Sequence, residues 1–311
     1  MQKLDIPAIQ IALFENPSVR SRIARDYSLP GGICMPGEFC DAVIQSLQQV
    51  PSADPLAHGW TGNQVFEAAV RAIGSNSRSW ARFIVAEPEL CRLFLDYDPA
   101  RLSANNYSRA AIQERIAPLL GGITARSDVR AMMDWIEVLS TTPGYYDRII
   151  SLANTARKVA TSLSESPCPD AELMILLVAA LAKPLFLRNA SIHAAVQGVA
   201  QDPKLSGMGY ALGAEFFRNL GWSGFKPDRH IKRLLDRWRP ENALAVERRV
   251  QALAAVLGTT DREFHSFARY SLIGIGLTPD DCTYSRADNL VWLLGAYVER
   301  KNRETQRRYI H

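Results

Sequence analysis

Apolar residues fall at helical spacing wherever this chain of 311 residues shows a pattern, and that periodicity limits its fold more than any other feature. Val65, Phe66, Ala69, Val70 and Ile73 form one stripe, Met132, Trp135, Ile136 and Leu139 a second, and Ile149, Ile150, Leu152 and Ala153 a third. Side chains three and four positions apart share one face of an α-helix, so each stripe marks a helix that must bury that face. Further on, Leu244, Val250, Leu253 and Leu257 end at Gly258, a residue suited to the left-handed position after a helix. Thr260 followed by Glu263 reads as a capping box opening a helix through Phe264, Phe267, Ala268, Leu272 and Ile273, and Asn289 to Tyr297 reads as the final core helix. The alternation of apolar and polar residues that marks half-buried strands is nearly absent, so the chain is expected to be all-α.

A hydrophobic content of 47 % suffices for a buried core without metal or disulfide staples. The cysteines, Cys34, Cys40, Cys91, Cys168 and Cys282, are odd in number and scattered, and no basic segment leads into an apolar run at the N-terminus. Both features point to free thiols in a reducing cytoplasm. The longest apolar run, Leu173 to Ala182, stops at Lys183 and Pro184, well short of the roughly 18 to 20 residues that cross a bilayer, so no membrane partner is expected. Loops are predicted where Pro, Gly and Ser cluster, at Leu29 to Gly37, Pro51 to Gly62, Leu102 to Ser108 and Ser162 to Asp170. Residues 1–60 read as an N-terminal accessory extension and 61–311 as the main helical domain.

The net charge of +4 announces no polyanionic partner, but its distribution is uneven. Lys226, Arg229, Lys232, Arg233, Arg237 and Arg239 stand within fourteen positions against only Asp228 and Asp236, and the tail adds Arg300, Lys301, Arg303, Arg307 and Arg308. Each run alone is an ordinary solvated helix face. The first gains meaning from what precedes it, the stretch Leu205-Ser206-Gly207-Met208-Gly209-Tyr210-Ala211-Leu212. Two glycines one residue apart, between an apolar anchor and a helical pattern, make a tight turn between helices whose exposed amides can hold a phosphate without reading sequence. A dinucleotide-binding loop would need a strand before Gly207, where Gln201-Asp202-Pro203-Lys204 stands, and a third glycine one place earlier than Gly213.

This stretch is similar to the Leu-Pro-Gly-Val-Gly hairpin of the helix-hairpin-helix (HhH-GPD) DNA glycosylase superfamily. Phe225-Lys226-Pro227-Asp228-Arg229-His230-Ile231-Lys232-Arg233 resembles the family's segment ending in Asp-x-His and a basic helix, and Asp228 follows Gly209 by nineteen residues. The resemblance covers 190–240, with the hairpin at about 192–220 and the catalytic segment at 225–238. It implies two helical subdomains with the active site in the cleft between them, Asp228 as the catalytic carboxylate, and double-stranded DNA carrying a damaged or modified base as partner. It further implies DNA contacts from Gly207, Gly209, Tyr210, Lys226, Arg229, His230, Lys232 and Arg233, with Trp222, Phe225 and Trp238 as candidates for a base pocket. A second likeness, Val65 to Arg78, matches the family helix and polar loop that fill the gap left by an extruded base, and nominates Asn76 or Arg78 as that wedge.

Departures from the family pattern narrow the chemistry. Bifunctional members carry a lysine where Ala211 stands, so lyase chemistry from that position is excluded. Iron–sulfur members carry four cysteines after the aspartate, where this chain has Cys282 alone, and neither histidines nor cysteines show metal-ligand spacing. No cofactor and no metal are expected. The resulting expectation is a monofunctional DNA glycosylase, a monomer associated with the nucleoid, acting on an alkylated purine, an oxidised guanine or a hypermodified phage base. The competing expectation is a non-catalytic helix-hairpin-helix protein that binds DNA or senses damage. An aspartate facing a polyanion argues against it.

Overall fold

A computed structural model describes residues 2–47, 54–57, 59–76, 80–105, 109–163, 168–199, 205–238, 241, 243–299 and 309–310. These residues form sixteen α-helices, one 3-10 turn at Pro184–Phe186 and one π-helical turn at Leu294–Val298. The fold is all-α, and among the described residues β-pairing is limited to one bridge between Leu4 and Ile310. No helix among them is long and apolar enough to cross a membrane.

The middle of the chain forms one group of helices: α4 (Gly62–Gly74), α5 (Trp80–Leu93), α6 (Pro99–Ala104), α7 (Arg109–Leu120), α8 (Ala125–Thr141), α9 (Tyr145–Leu163), α10 (Asp170–Ala182), α11 (Ala190–Val199) and α12 (Tyr210–Asn219). Within it α4 packs on α8 and α12, α10 lies against α9 and α12, and α11 packs on α9. The two ends of the chain form the other group: α1 (Ile6–Phe14), α2 (Pro17–Asp26) and α3 (Pro36–Leu47) with α13 (Arg229–Trp238), α14 (Ala243–Leu257), α15 (Arg262–Leu277) and α16 (Tyr284–Leu293). Here α1 packs on α3 and α16, and α13 on α15 and α16. Contacts of α14 with α9, and of α15 with α10 and α12, join the two groups around one apolar core.

The stripes read from the sequence account for these helices. Val65, Phe66, Ala69, Val70 and Ile73 are the buried face of α4, which opens with a reciprocal capping box between Thr61 and Gln64. The apolar run at 173–182 lies inside α10 and is buried almost throughout, as a helix enclosed on all sides requires. Gly258 ends α14 with φ +62. Three local readings shift. Asp261, not Thr260, caps α15, because its carboxylate accepts from the Glu263 amide at 3.0 Å. The last helix begins at Tyr284, five residues before the expected start, capped by Thr283 and continuing into the π turn. Leu102 lies in α6 rather than in a loop.

The accessory extension is corrected more substantially. Leu4, Ile9, Leu13, Ile23, Val43 and Ile44 are buried in the common core. The Leu4 amide donates to the Leu277 carbonyl at 2.8 Å, Arg22 donates to the Tyr297 carbonyl at 2.7 Å, and Arg286 pairs with Asp41 at 2.6 Å. Residues 2–47 therefore belong structurally to the same body as α13–α16. Their apolar faces find partners some 240 to 275 positions away, a pairing that no local pattern can announce.

Candidate active site

Residues 205–209, just ahead of α12, are anchored on α8. Ser206 is tied to α8, its carbonyl accepting from Trp135 Nε1 at 2.8 Å and its hydroxyl donating to Asp134 at 2.9 Å. Gly207 then turns the chain with φ +75, a conformation that disfavours any Cβ. Gly209 occupies the N-cap position of α12 at φ −80, with nothing within 4 Å of where a Cβ would stand, and no side chain caps this helix. The unusual angle thus belongs to Gly207 alone, while Gly209 keeps the approach to the first turn of α12 open. Gly221, at φ +87, follows the end of α12.

Asp228 stands at the N-terminus of α13. Its Oδ1 accepts from the His230 and Ile231 amides at 2.7 and 3.1 Å, and its Oδ2 accepts from the Trp292 indole at 3.0 Å. Two amide donors on one oxygen and an indole on the other fix the carboxylate plane, and the helix dipole favours a negative charge there. The carboxylate is half-buried and lines a cavity of about 760 Å3. The walls come from the end of α2, the α4–α5 corner, the first turns of α12, the 226–232 segment, and α16 with the π turn. Both helix groups contribute, so the cavity lies where they meet.

Its floor is a buried charged network. Glu215, on the same face of α12 as Ala211, pairs with Lys226 at 3.1 Å and with Arg218 at 3.2 Å. Arg218 also donates to Asp288 at 2.6 Å, to Asn289 Oδ1 at 2.6 Å and to the Ser285 carbonyl at 3.2 Å, and the Lys226 amide donates to Asp288 at 2.8 Å. Burial raises the Asp288 carboxyl to about 7, against the pull of Arg218 and Lys226. Burial acts in the same direction on Glu215, but Lys226 and Arg218 outweigh it and hold that carboxyl below its ordinary value.

The remaining sequence-nominated residues divide. Arg229 is exposed and Lys232 half-buried, and both line the cavity; the Lys232 ammonium lies 3.2 Å from Ser266 Oγ and above the Tyr270 ring. His230 also lines it, with Nδ1 3.3 Å from the Gly295 carbonyl. Burial lowers the His230 pKa from its ordinary value, opposed by Asp228 and assisted by Arg233. Lys226 is corrected as a phosphate contact, because its ammonium is nearly buried against Glu215. Arg233 does not line the cavity and donates to the Gly295 carbonyl at 2.6 Å, supporting the π turn. The Tyr210 ring stacks on Phe267 at 5.2 Å and its hydroxyl donates to Asp261, so it joins α12 to α15. Asn76 is at the cavity wall, its amide donating to Asp128 at 2.9 Å. Arg78 lies outside the described residues.

Trp222, Phe225 and Trp238 are corrected as base-pocket residues. Each is at most 2 % exposed and none lines the cavity; Phe225 packs onto the α15 backbone at Gly274, Trp222 against Phe217 and Trp238 against Tyr309. The aromatic walls are instead Trp292, Tyr297, Trp80 and Tyr27. These come from segments remote from the motif, and their spacing carries no signal. A signal did exist for the floor: Glu215 and Arg218 interrupt an apolar helix at core-facing positions, as Asp288 and Asn289 do in α16, and buried charges require partners. Among the described residues no group of three or more His, Cys, Asp or Glu side chains could hold a metal ion. Comparison of the chain with protein-family models, with curated proteins and with solved structures finds no match.

Proposed function

We propose that the protein is a monofunctional DNA glycosylase, hydrolysing the N-glycosidic bond of a damaged or modified base after the nucleotide leaves the duplex. The observation that carries this reading is the Asp228 carboxylate, fixed by three N–H donors on the wall of a cavity of about 760 Å3. That volume lies within the range of small-molecule sites. Extruding a nucleotide costs a few kcal/mol and is easiest where damage weakens pairing. As the base departs, positive charge develops on the deoxyribose, and a pre-oriented carboxylate stabilises that oxocarbenium-like state and directs the attacking water.

The surroundings support the same reading. Trp292, bonded to Asp228 through its indole, and Tyr297 line the same cavity and give it aromatic walls suited to a planar ring. Arg229 and Lys232, with the uncapped first turn of α12, offer cations and amides to flanking phosphates. Ala211 lines the cavity and has no nucleophile, in keeping with hydrolysis rather than lyase chemistry at that position.

Asp228→Asn tests the proposal. Asparagine caps a helix as well as aspartate, so the fold should persist. Duplexes carrying alkylated, oxidised or hypermodified bases are incubated with enzyme, treated with alkali and resolved on a gel. Wild type should yield strand breaks at the modified base, and the variant none while binding DNA as well or better. Breaks that persist in Asp228→Asn end the assignment.

A further inference from the structure

Arginine can only donate hydrogen bonds, so the 2.6 Å contact from Arg218 assigns the oxygen of the Asn289 amide to the guanidinium side. The Asn289 nitrogen is thereby turned away from Arg218, and it has no hydrogen-bond partner although the residue is 7 % exposed. Asn289 lines the cavity. A buried amide nitrogen without a partner is unusual in a native protein and calls for an explanation. The Trp80 indole N–H, on the α4–α5 side of the same cavity, is also buried and unpartnered. Both groups are donors. The nearby carboxylates of Glu215 and Asp288 are already engaged by Lys226 and Arg218. The complement to such a cavity is a planar molecule whose edge presents acceptors.

Resting on the glycosylase reading above, we infer that Asn289 selects the extruded base by donating from Nδ2 to an exocyclic carbonyl oxygen, so that oxo-bearing bases are taken in preference to amino-bearing ones. Arg218 is the positioning residue that fixes the amide.

The test uses DNA that cannot be cleaved. Duplexes carry 2′-fluoro-2′-deoxyinosine or 2′-fluoro-2′-deoxyadenosine opposite a tetrahydrofuran residue, so that neither base is paired, and a third duplex carries tetrahydrofuran at both positions. Binding is followed by fluorescence anisotropy. Wild type should bind the oxo-bearing duplex about 10-fold more tightly than the amino-bearing one, the loss expected when a buried donor is left unmet. In Asn289→Leu, which keeps the shape, the two should fall within about twofold of each other while the base-free duplex binds as before. Asn289→Asp retains the Arg218 contact and replaces the donor by an acceptor, and should reverse the preference even if the leucine variant fails to fold. Equal binding by wild type, or a preference that survives both substitutions, overturns the inference. Base release plays no part in these measurements, so an enzyme that cleaves nothing but shows the preference sinks only the hydrolytic reading, and cleavage without the preference sinks only this one.

Discussion

Arg218→Met removes the cation at the centre of the cavity floor while roughly filling its volume. Arg218 is 6 % exposed at its side chain and is shared by Glu215, Asp288 and Asn289. After its loss Glu215 keeps Lys226, but Asp288, fully buried, is left with the Lys226 amide and no cation paired to its carboxylate. Stranding a buried charge in this way costs about 3–5 kcal/mol. For 311 residues the unfolding entropy is about 0.65 kcal/mol per degree, so the melting temperature should fall by about 5–8 °C. The loss should also depend on pH. The folded Asp288 pKa is raised to about 7 from 3.8, so its contribution to stability is fully present below pH 3.8 and is lost as pH rises through 7. At pH 5.5 the acid is protonated with or without Arg218. At pH 8.5 the wild-type carboxylate is ionised and paired, so the fall of about 5–8 °C is expected there and a smaller one at pH 5.5, where no charge is stranded. Calorimetry or thermal circular dichroism at the two pH values measures both effects. A loss under about 2 °C at pH 8.5, or one identical at both pH values, would refute the argument that this network is electrostatically closed.

The two hairpin glycines should respond oppositely to alanine. Gly207→Ala should lower stability by about 1 kcal/mol or more, because φ is +75 and the added Cβ would lie 3.3 Å from Ala131, whereas Gly209→Ala should melt as wild type does. A valine at Gly209 should weaken binding to all duplexes alike, and a loss confined to particular sequences would contradict phosphate gripping by this turn. Replacing Arg229 and Lys232 together by alanine should reduce the slope of log affinity against log salt by about 2, and an unchanged slope would remove them from the phosphate contacts. Trp292→Phe keeps an aromatic wall but deletes the indole bond to Asp228; base release should slow by about 10-fold with little change in DNA affinity, and an unaltered rate would show that this bond does not orient the carboxylate.

Helical class, most helix positions and the turn at Gly207 were legible from residue types because they depend on interactions within a few positions of the chain. The same holds for Asp228 as the residue that opens α13: its carboxylate reaches amides two and three residues ahead. The nearby aromatics Trp222, Phe225 and Trp238 misled for a related reason. Proximity in sequence to the motif says nothing about which face of the fold a ring occupies, and all three are in the core.

What the sequence alone determined is therefore local: an all-α chain, a glycine bend, and an aspartate ahead of a basic helix. Only the tertiary structure decided that residues 2–47 complete the lobe formed by α13–α16, that Trp292 bonds Asp228 and shares a cavity with Tyr297, and that Glu215, Arg218, Lys226 and Asp288 share one buried network. Backbone hydrogen bonds and caps are satisfied between neighbours along the chain, whereas apolar faces and buried charges must find partners wherever packing brings them, and that choice is made by the whole fold at once.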